Sequence, residues 1–129
     1  MEREYSLSNY RELIAWQKAY QLGLQVIRLA RLLPQEERFE LGSQLRRNGV
    51  SVPSNIAEGY GRRTLPDYIH FLTISRGALY ELDTQLLFCV DLGYIDAEKY
   101  AATKNQLDEA ERVLAGLIRA LELKLDQSR

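Results

Sequence analysis

The chain has 129 residues, of which 46% are hydrophobic and 27% charged, and its 17 Lys and Arg against 18 Asp and Glu leave a net charge of -1. This length and composition exclude wholesale disorder and predict one soluble domain, residues 1–129, whose core needs no disulfides or metals. Because the single Cys89 cannot form an internal disulfide, Glu2 and Glu4 stand where a secretory signal would be basic, and no apolar run is long enough to span a bilayer, we expect a cytoplasmic protein with no membrane association.

Four long helices with short connections are predicted, because Gly and Pro are confined to a few positions and helix-forming residues fill the segments between them. Asn9 and Glu12 form a capping-box pattern before the first helix. Thr64 has the side chain of an N-cap before the third helix, and Gly93 fits the left-handed residue that ends it. The predicted helices cover about 10–33, 36–59, 65–92 and 97–125.

Apolar residues recur every three or four positions in the third and fourth predicted helices, as Leu79, Leu82 and Leu86 illustrate in the third. This spacing places them along one face of each helix, which indicates a seam that faces a common core. The short connections force neighbouring helices to run antiparallel. The predicted fold class is therefore an all-α, antiparallel up-down four-helix bundle.

The second predicted helix contains a proline in its interior. Pro53 lacks an amide hydrogen, and its ring presses on the carbonyl group of Gly49 one turn earlier, so we predict a kink near Pro53. Asn55 and the neighbouring serines can bond to the backbone groups that such a kink releases, which is a structural use of their side chains.

The first predicted helix has two apolar stripes where a bundle helix needs one. One stripe includes Trp16 and Tyr20, and the other runs through the alanines and Leu22. The apolar surplus predicts a second partner surface and hence a homo-oligomer, although a broad core with scattered surface apolar residues is the alternative. The predicted oligomer contact consists of Ala15, Ala19, Leu22, Val26 and Leu29.

Charge is distributed unevenly along the chain. From Gly42 to Thr64 four arginines accompany one acid, Glu58, whereas residues 81–111 carry eight acids and two lysines. The guanidinium group suits phosphate, and an aromatic ring beside it can stack on a base, so one hypothesis is an RNA or ribonucleoprotein accessory module. The candidate surface for nucleic acid or a partner consists of Arg46, Arg47, Asn55, Glu58, Tyr60, Arg62, Arg63 and Arg76.

Two alternatives remain open for that surface. The sequence isoelectric point of about 5.9 lies far below the value common in nucleic-acid-binding domains. The arginines can instead pair with the acids Glu58, Glu81 and Asp83. A second hypothesis is accordingly a protein scaffold or adaptor ring that binds no nucleic acid and uses the surplus apolar surface of the first helix.

Catalysis is not expected from these residues. One His and one Cys cannot build a metal site rich in these ligands, and Glu58 has no second acid at a helical spacing useful for acid-base chemistry. Cys89 lies on the core seam, and the pair formed by Asp67 and His70 on one helix face is interpreted as structural. We predict a non-enzymatic protein without cofactor or metal.

The segment SQLRRNGVSVPSNIAEGYGR resembles the signature of the bacterial four-helix-bundle proteins first found as reading frames inside 23S rRNA intervening sequences. The runs LIAWQKAYQL, FLTISRGALYELDTQLLF and LAGLIRAL match that family in the same order, so the resemblance covers about residues 10–122. It departs from the family pattern at Gly42, Asn48 and Gly49. The resemblance implies an antiparallel bundle that assembles into a homopentamer, with no established molecular activity.

Overall fold

The computed structural model describes residues 9–129, and in that part of the chain it contains four α-helices and no strand. Two short 3-10 turns, Tyr10–Glu12 and Gln35–Glu37, precede the first and second helices. The helices are α1 (Ile14–Ala30), α2 (Leu41–Tyr60), α3 (Leu65–Asp91) and α4 (Ala97–Gln127).

The starts of α1 and α2 differ from the prediction. The Asn9 side chain accepts a hydrogen bond from the Arg11 amide at 2.8 Å, so it caps the 3-10 turn, and α1 begins only after the extended Leu13. The segment predicted to open the second helix forms the other 3-10 turn, and the backbone leaves helical geometry at Glu40 (φ -108°, ψ -102°) before α2 begins. Local turns therefore take up residues that the apolar pattern assigned to the helices.

The boundaries of α3 and α4 follow from their caps. The Thr64 hydroxyl accepts a hydrogen bond from the Asp67 amide at 3.3 Å, and the Asp96 carboxylate accepts one from the Lys99 amide at 2.8 Å. Both bonds satisfy amides that a helix N-terminus leaves without intrahelical partners. Gly93 follows α3 with φ at 79°, a left-handed conformation that favours glycine, as predicted.

Each helix packs against two neighbours, α1 and α3 both lying between α2 and α4. The contacts of α2 with α3 pair Gln44 with Gln85 and Val52 with Ser75, so the residue number increases along α2 as it decreases along α3. That order is the one expected of an antiparallel pair. The four-helix-bundle prediction is confirmed.

A close backbone contact joins α1 to α2. A Cβ atom on Gly23 would lie 2.5 Å from the Gly49 carbonyl oxygen, and Gly49 itself packs against Val26. Pro53 lies inside α2, one turn beyond Gly49, and has no amide hydrogen to offer to that carbonyl. The helix runs unbroken from Leu41 to Tyr60, and the kink near Pro53 stays a prediction.

The residues predicted to contact another subunit lie instead in the core of a single chain. Leu22 and Val26 have no exposed surface, and the other three are at most 3% exposed. The prediction is wrong for this reason: the small alanines let α1 approach its neighbours, and the stripe that contains them turns inward. The buried set is Ala15, Ala19, Leu22, Val26 and Leu29.

The apolar surplus of α1 lies on its other stripe. Tyr20 is 43% exposed, and Trp16, Leu24 and Ile27 are half-buried. Two stripes therefore exist, as the sequence indicated, and the one that contains Trp16 and Tyr20 is the more exposed.

Candidate interaction surfaces

The arginines of the predicted surface have separate environments on α2. The Arg46 guanidinium donates a hydrogen bond to the carbonyl oxygen of Arg38 at 2.9 Å, so it fastens the α1–α2 connection to the helix. Arg47 is exposed and forms no ion pair with any residue in 9–129. In the described part of the chain neither Arg46 nor Arg47 forms an ion pair with an acid, and Arg47 is the more exposed of the two.

Arg62 lies just beyond the C-terminal end of α2, and its guanidinium already has partners within the chain. Its guanidinium lies 3.0 Å from the Glu58 carboxylate, 3.8 Å from the Asp67 carboxylate and 5.1 Å from the centre of the Phe71 ring. Ion pairs this exposed stabilise a protein little, but they compensate the charge. Glu58 therefore neutralises an arginine that lies two residues beyond the end of its helix, as the ion-pair alternative predicted, and the adjacent Arg63 is exposed.

Two further members of the predicted surface have structural contacts. The Asn55 amide donates hydrogen bonds to the backbone carbonyl and to the hydroxyl of Ser51, both at 2.9 Å. Tyr60 is half-buried, with its ring edge-on to that of Tyr68 at 6.3 Å between centroids. Neither side chain is presented freely to a ligand.

The predicted surface is not one patch. Arg47 lies thirteen residues before Tyr60, the last residue of α2, which at about 1.5 Å per residue is roughly 20 Å of helix, and Arg62 lies beyond that end. Arg76 lies on the far side of α3, where it lines a groove against α4 together with Arg112 and Arg119. The structure thus distributes the predicted cations over two faces of the bundle.

A groove between α2 and α3 was missed in the sequence analysis. It encloses about 590 Å³, and its apolar lining comes from Leu41, Tyr80, Phe88 and Leu92. Tyr80, Phe88 and Leu92 are each more than half exposed. We call this feature the α2/α3 groove. The signal for it was present, since Tyr80, Phe88 and Leu92 follow each other at spacings that place them on one side of α3.

The α2/α3 groove has a polar floor and an acidic rim. The floor is Gln85, the buried polar residue of the lining. The amide of Asn48, which lies outside the lining, donates to the Gln85 side-chain oxygen at 3.3 Å and to the Glu81 carboxylate at 3.1 Å. Glu37, which accepts a hydrogen bond from the Tyr94 hydroxyl at 2.8 Å, lies at the rim with Glu40. No Lys or Arg is among the lining residues in the described part of the chain.

A second apolar surface lies between α1 and α2, and we call it the Trp16 face. The Trp16 ring stacks on Tyr20 at 5.0 Å and meets the edge of Tyr10 at 5.2 Å. Tyr20, Leu24 and Val50 continue the surface, and Val50 is 53% exposed. This face carries the apolar surplus of α1.

The groups that could support catalysis are few. Within residues 9–129 no cluster of three or more His, Cys, Asp or Glu is placed to hold a metal ion. Cys89 is buried, and burial together with the negative charge of Glu37 raises the pKa of its thiol to about 11. A thiol with that pKa is protonated at neutral pH and is a poor nucleophile. The described helices also include none long and apolar enough to cross a membrane.

Comparison with known proteins identifies relatives that match most of the chain. Residues 11–116 match the model of the 23S rRNA-intervening sequence protein family. A crystal structure of a protein of unknown function from the S23 ribosomal protein family of Bacteroides thetaiotaomicron VPI-5482 is 24% identical. It covers 82% of this chain and 96% of its own, with a TM-score of 0.76. A search of curated proteins finds no match.

Proposed function

This chain belongs to the 23S rRNA-intervening sequence protein family, and we propose that it is a non-enzymatic, self-assembling scaffold of the cytoplasm. The α2/α3 groove is the observation that carries the proposal. Tyr80, Phe88 and Leu92 expose aromatic and aliphatic surface beside a polar floor. Aromatic residues at the centre of a concave surface are typical of protein interfaces.

Self-assembly is favoured over a monomer because the bundle has two such surfaces. The Trp16 face lies on the opposite side of α2 from the groove and adds a stacked aromatic pair. Contiguous exposed apolar surface on a small soluble protein marks an interaction site more often than an unused face. We propose a homopentamer, which is the number that the family resemblance implies.

Sedimentation velocity of the purified protein tests this proposal. The expected mass is five times that of the 14.9 kDa chain. Replacing both Tyr80 and Phe88 with Ser should shift the protein towards monomers, because it removes the aromatic surface of the groove. Leu123→Ser is the matched control, since Leu123 is 56% exposed and lies on α4 away from both surfaces. A monomeric wild type at tens of micromolar would contradict the proposal.

An RNA accessory role is the second candidate, and one observation favours it. The α1 and α2 helices together carry Lys18, Arg28, Arg46 and Arg47 but a single acid, Glu58. Of these cations, Lys18 pairs with Glu109 of α4 at 3.2 Å. A ring of subunits would repeat this cationic side, and affinity for phosphate grows with the number of phosphates that are neutralised. The surface supports an RNA role less well than the scaffold role. Arg46 already donates a hydrogen bond to the Arg38 carbonyl and Arg62 is already paired with Glu58, so their guanidinium groups are less available to phosphate.

Fluorescence anisotropy with labelled single-stranded and structured RNA separates the two roles. If RNA binds, affinity should fall steeply between about 50 and 200 mM salt, and Arg47→Ala with Arg63→Ala should reduce the salt slope. Arg129→Ala is the control, because this exposed arginine follows α4 and belongs neither to the predicted surface nor to the groove that Arg76 lines. Absence of binding at the lowest salt would contradict the RNA role, and the scaffold role would be the one that remains.

A further inference from the structure

Asn48 and Gly49 form a chemically reactive dipeptide in the middle of α2. The side-chain carbonyl carbon of an asparagine can be attacked by the backbone nitrogen of the next residue, and glycine, which has no side chain, leaves that nitrogen open to the reaction. The other asparagines of the chain are followed by larger residues, which hinder the attack; these are Asn9, Asn55 and Asn105. Asn48 is therefore the asparagine of this chain that is most prone to deamidation, the loss of its side-chain amide.

The folded bundle blocks this reaction in two ways. Within α2 the Gly49 amide donates its hydrogen to the carbonyl of Leu45, four residues earlier, and the helical backbone directs the Asn48 side chain away from the Gly49 nitrogen. The Asn48 side chain is also nearly buried, and its amide donates to Glu81 at 3.1 Å and to Gln85 at 3.3 Å, both on α3. Deamidation requires these bonds to break.

This protection depends on packing and not on the helical tendency of the segment. Residues 48–53 have the sequence NGVSVP, in which asparagine, glycine, valine and proline are all poor helix formers. Pro53 has no amide hydrogen for the Gly49 carbonyl, so α2 lacks one of its own hydrogen bonds beside the reactive dipeptide. Tertiary contacts hold the segment helical, and one of them packs Gly49 against Val26 of α1. When the bundle opens, the segment loses its helix and the two reactive groups can meet.

We infer that Asn48 and Gly49 form a self-modification site that the native bundle keeps closed and that unfolding opens. In the opened chain the Gly49 nitrogen gives its proton to solvent and bonds to the side-chain carbonyl carbon of Asn48, and the side-chain nitrogen leaves as ammonia. Water then opens the resulting five-membered succinimide at one of its two carbonyl groups. One cleavage gives aspartate, and the other gives isoaspartate, in which the backbone passes through the side chain. The net change is the exchange of ammonia for water.

Either product damages the packing of α2. An aspartate in place of Asn48 has no amide to donate to Glu81, and it sets a second carboxylate beside the first, where like charges repel. Isoaspartate adds a methylene group to the backbone of α2 immediately before Gly49, whose carbonyl oxygen lies in close contact with Gly23 of α1. The modified chain cannot regain the full stability of the native bundle, so prolonged unfolding becomes a one-way step.

Peptide mass spectrometry of the wild type, incubated at mildly alkaline pH, tests this inference, because exchange of an amide for a carboxyl group raises the mass of the peptide. In guanidinium chloride Asn48 should be deamidated at least about ten times faster than in the native protein, since the native bundle opens only rarely. Asn55 and Asn105 are controls within the same molecule and should react slowly in both conditions. Equal rates at Asn48 in the native and the unfolded protein would overturn the inference.

Gly49→Ala is the matched variant. A Cβ atom at this position would lie 3.4 Å from a Val26 methyl group, which is an ordinary contact, so the variant should fold. The added methyl group shields the backbone nitrogen, and deamidation in guanidinium chloride should fall at least about tenfold. Gly116→Ala, at a position where a Cβ atom meets nothing within 4 Å, should react like the wild type. Undiminished deamidation of unfolded Gly49→Ala would overturn the assignment of Gly49 as the attacking residue.

Refolding measures the consequence of the reaction. Protein held in guanidinium chloride for increasing times is diluted into buffer, and circular dichroism gives the fraction that regains the wild-type melting temperature. That fraction should fall in step with deamidation of Asn48, whereas Gly49→Ala should refold equally well after short and long exposure. Asn48→Asp, which reproduces one product, should melt below the wild type. Deamidated protein that refolds with the wild-type melting temperature would overturn the one-way step.

Discussion

The carbonyl oxygen of Gly49 lies 2.5 Å from the position that a Cβ atom would take on Gly23. The residue four positions after Gly49 is Pro53, which offers no amide hydrogen to that oxygen. The carbonyl is thus turned towards α1, where the hydrogen that glycine carries in place of a side chain can approach it as a weak donor. Glycine at position 23 lets α1 and α2 pack this closely.

Gly23→Ala should therefore destabilise the bundle, although alanine is the better helix former. The new methyl group meets a backbone atom that cannot rotate away, and such overpacking costs about 1 to 3 kcal/mol. The gain in helix propensity, about 1 kcal/mol, offsets part of that cost. Urea unfolding followed by circular dichroism measures the difference.

Gly116→Ala is the control for that substitution. A Cβ atom at Gly116, inside α4, would have no neighbour within 4 Å. This variant should be unchanged or stabilised by up to about 1 kcal/mol. Equal effects at the two glycines would show that the contact between Gly23 and Gly49 does not constrain the packing of α1 on α2.

The inward position of the alanine stripe gives a second prediction. Leu22 has no exposed surface, so Leu22→Ala should lower the free energy of unfolding by about 2 to 5 kcal/mol, because it leaves a cavity in the core. Leu32→Ala, at a residue that is 53% exposed, should change it by less than about 0.5 kcal/mol. A stable Leu22→Ala protein with altered sedimentation would instead place Leu22 at a subunit contact.

The fold could be predicted because it depends on local signals. Apolar spacing, the Thr64 cap and the left-handed Gly93 determine where α3 begins and ends, and the structure contains all three. The inward face of α1 could not be predicted, because its two apolar stripes have the same helical period. Which stripe turns inward depends on the approach of α1 to α2, and that contact between Gly23 and Gly49 joins residues distant in sequence.

The candidate site was harder to predict than the fold. A count of arginines in residues 43–63 does not reveal that Arg46 bonds to a carbonyl and that Arg62 already faces two carboxylates. The α2/α3 groove is built from two helices and a connection, so no single segment contains its pattern. A single sequence does not show which residues of different segments contact each other, and both the arginine contacts and the groove depend on such contacts.

A third prediction concerns the polar floor of the groove. Asn48→Ala removes the donor that serves both Glu81 and Gln85, and a nearly buried polar group that loses its partner costs about 1 to 3 kcal/mol. Asn105→Ala, at an exposed position on α4, is the control and should have little effect. Thermal melting of the two variants measures the contrast. If both melt alike, the floor contributes nothing to the packing of α2 on α3.

The last prediction uses the single cysteine as a probe of the core. Burial raises the pKa of the Cys89 thiol to about 11, and Glu37 adds to the shift, so the folded protein favours the protonated form. The stabilisation linked to this shift is fully present below the ordinary cysteine pKa and is lost as the pH rises through about 11. At pH 8 the thiolate is the minor species by about a thousandfold, and only the thiolate reacts with iodoacetamide.

Native protein at pH 8 should therefore be alkylated at least about 100 times more slowly than protein unfolded in urea, as mass spectrometry of quenched samples can measure. Ser128→Cys supplies the control, because this exposed position should react in the native protein at the rate of a free thiol. Since alkylation of Cys89 requires opening of the core, Gly23→Ala should accelerate it and Gly116→Ala should not. Rapid labelling of Cys89 in the folded wild type would mean that the end of α3 opens readily, and the α2/α3 groove beside it would then not be a preformed surface.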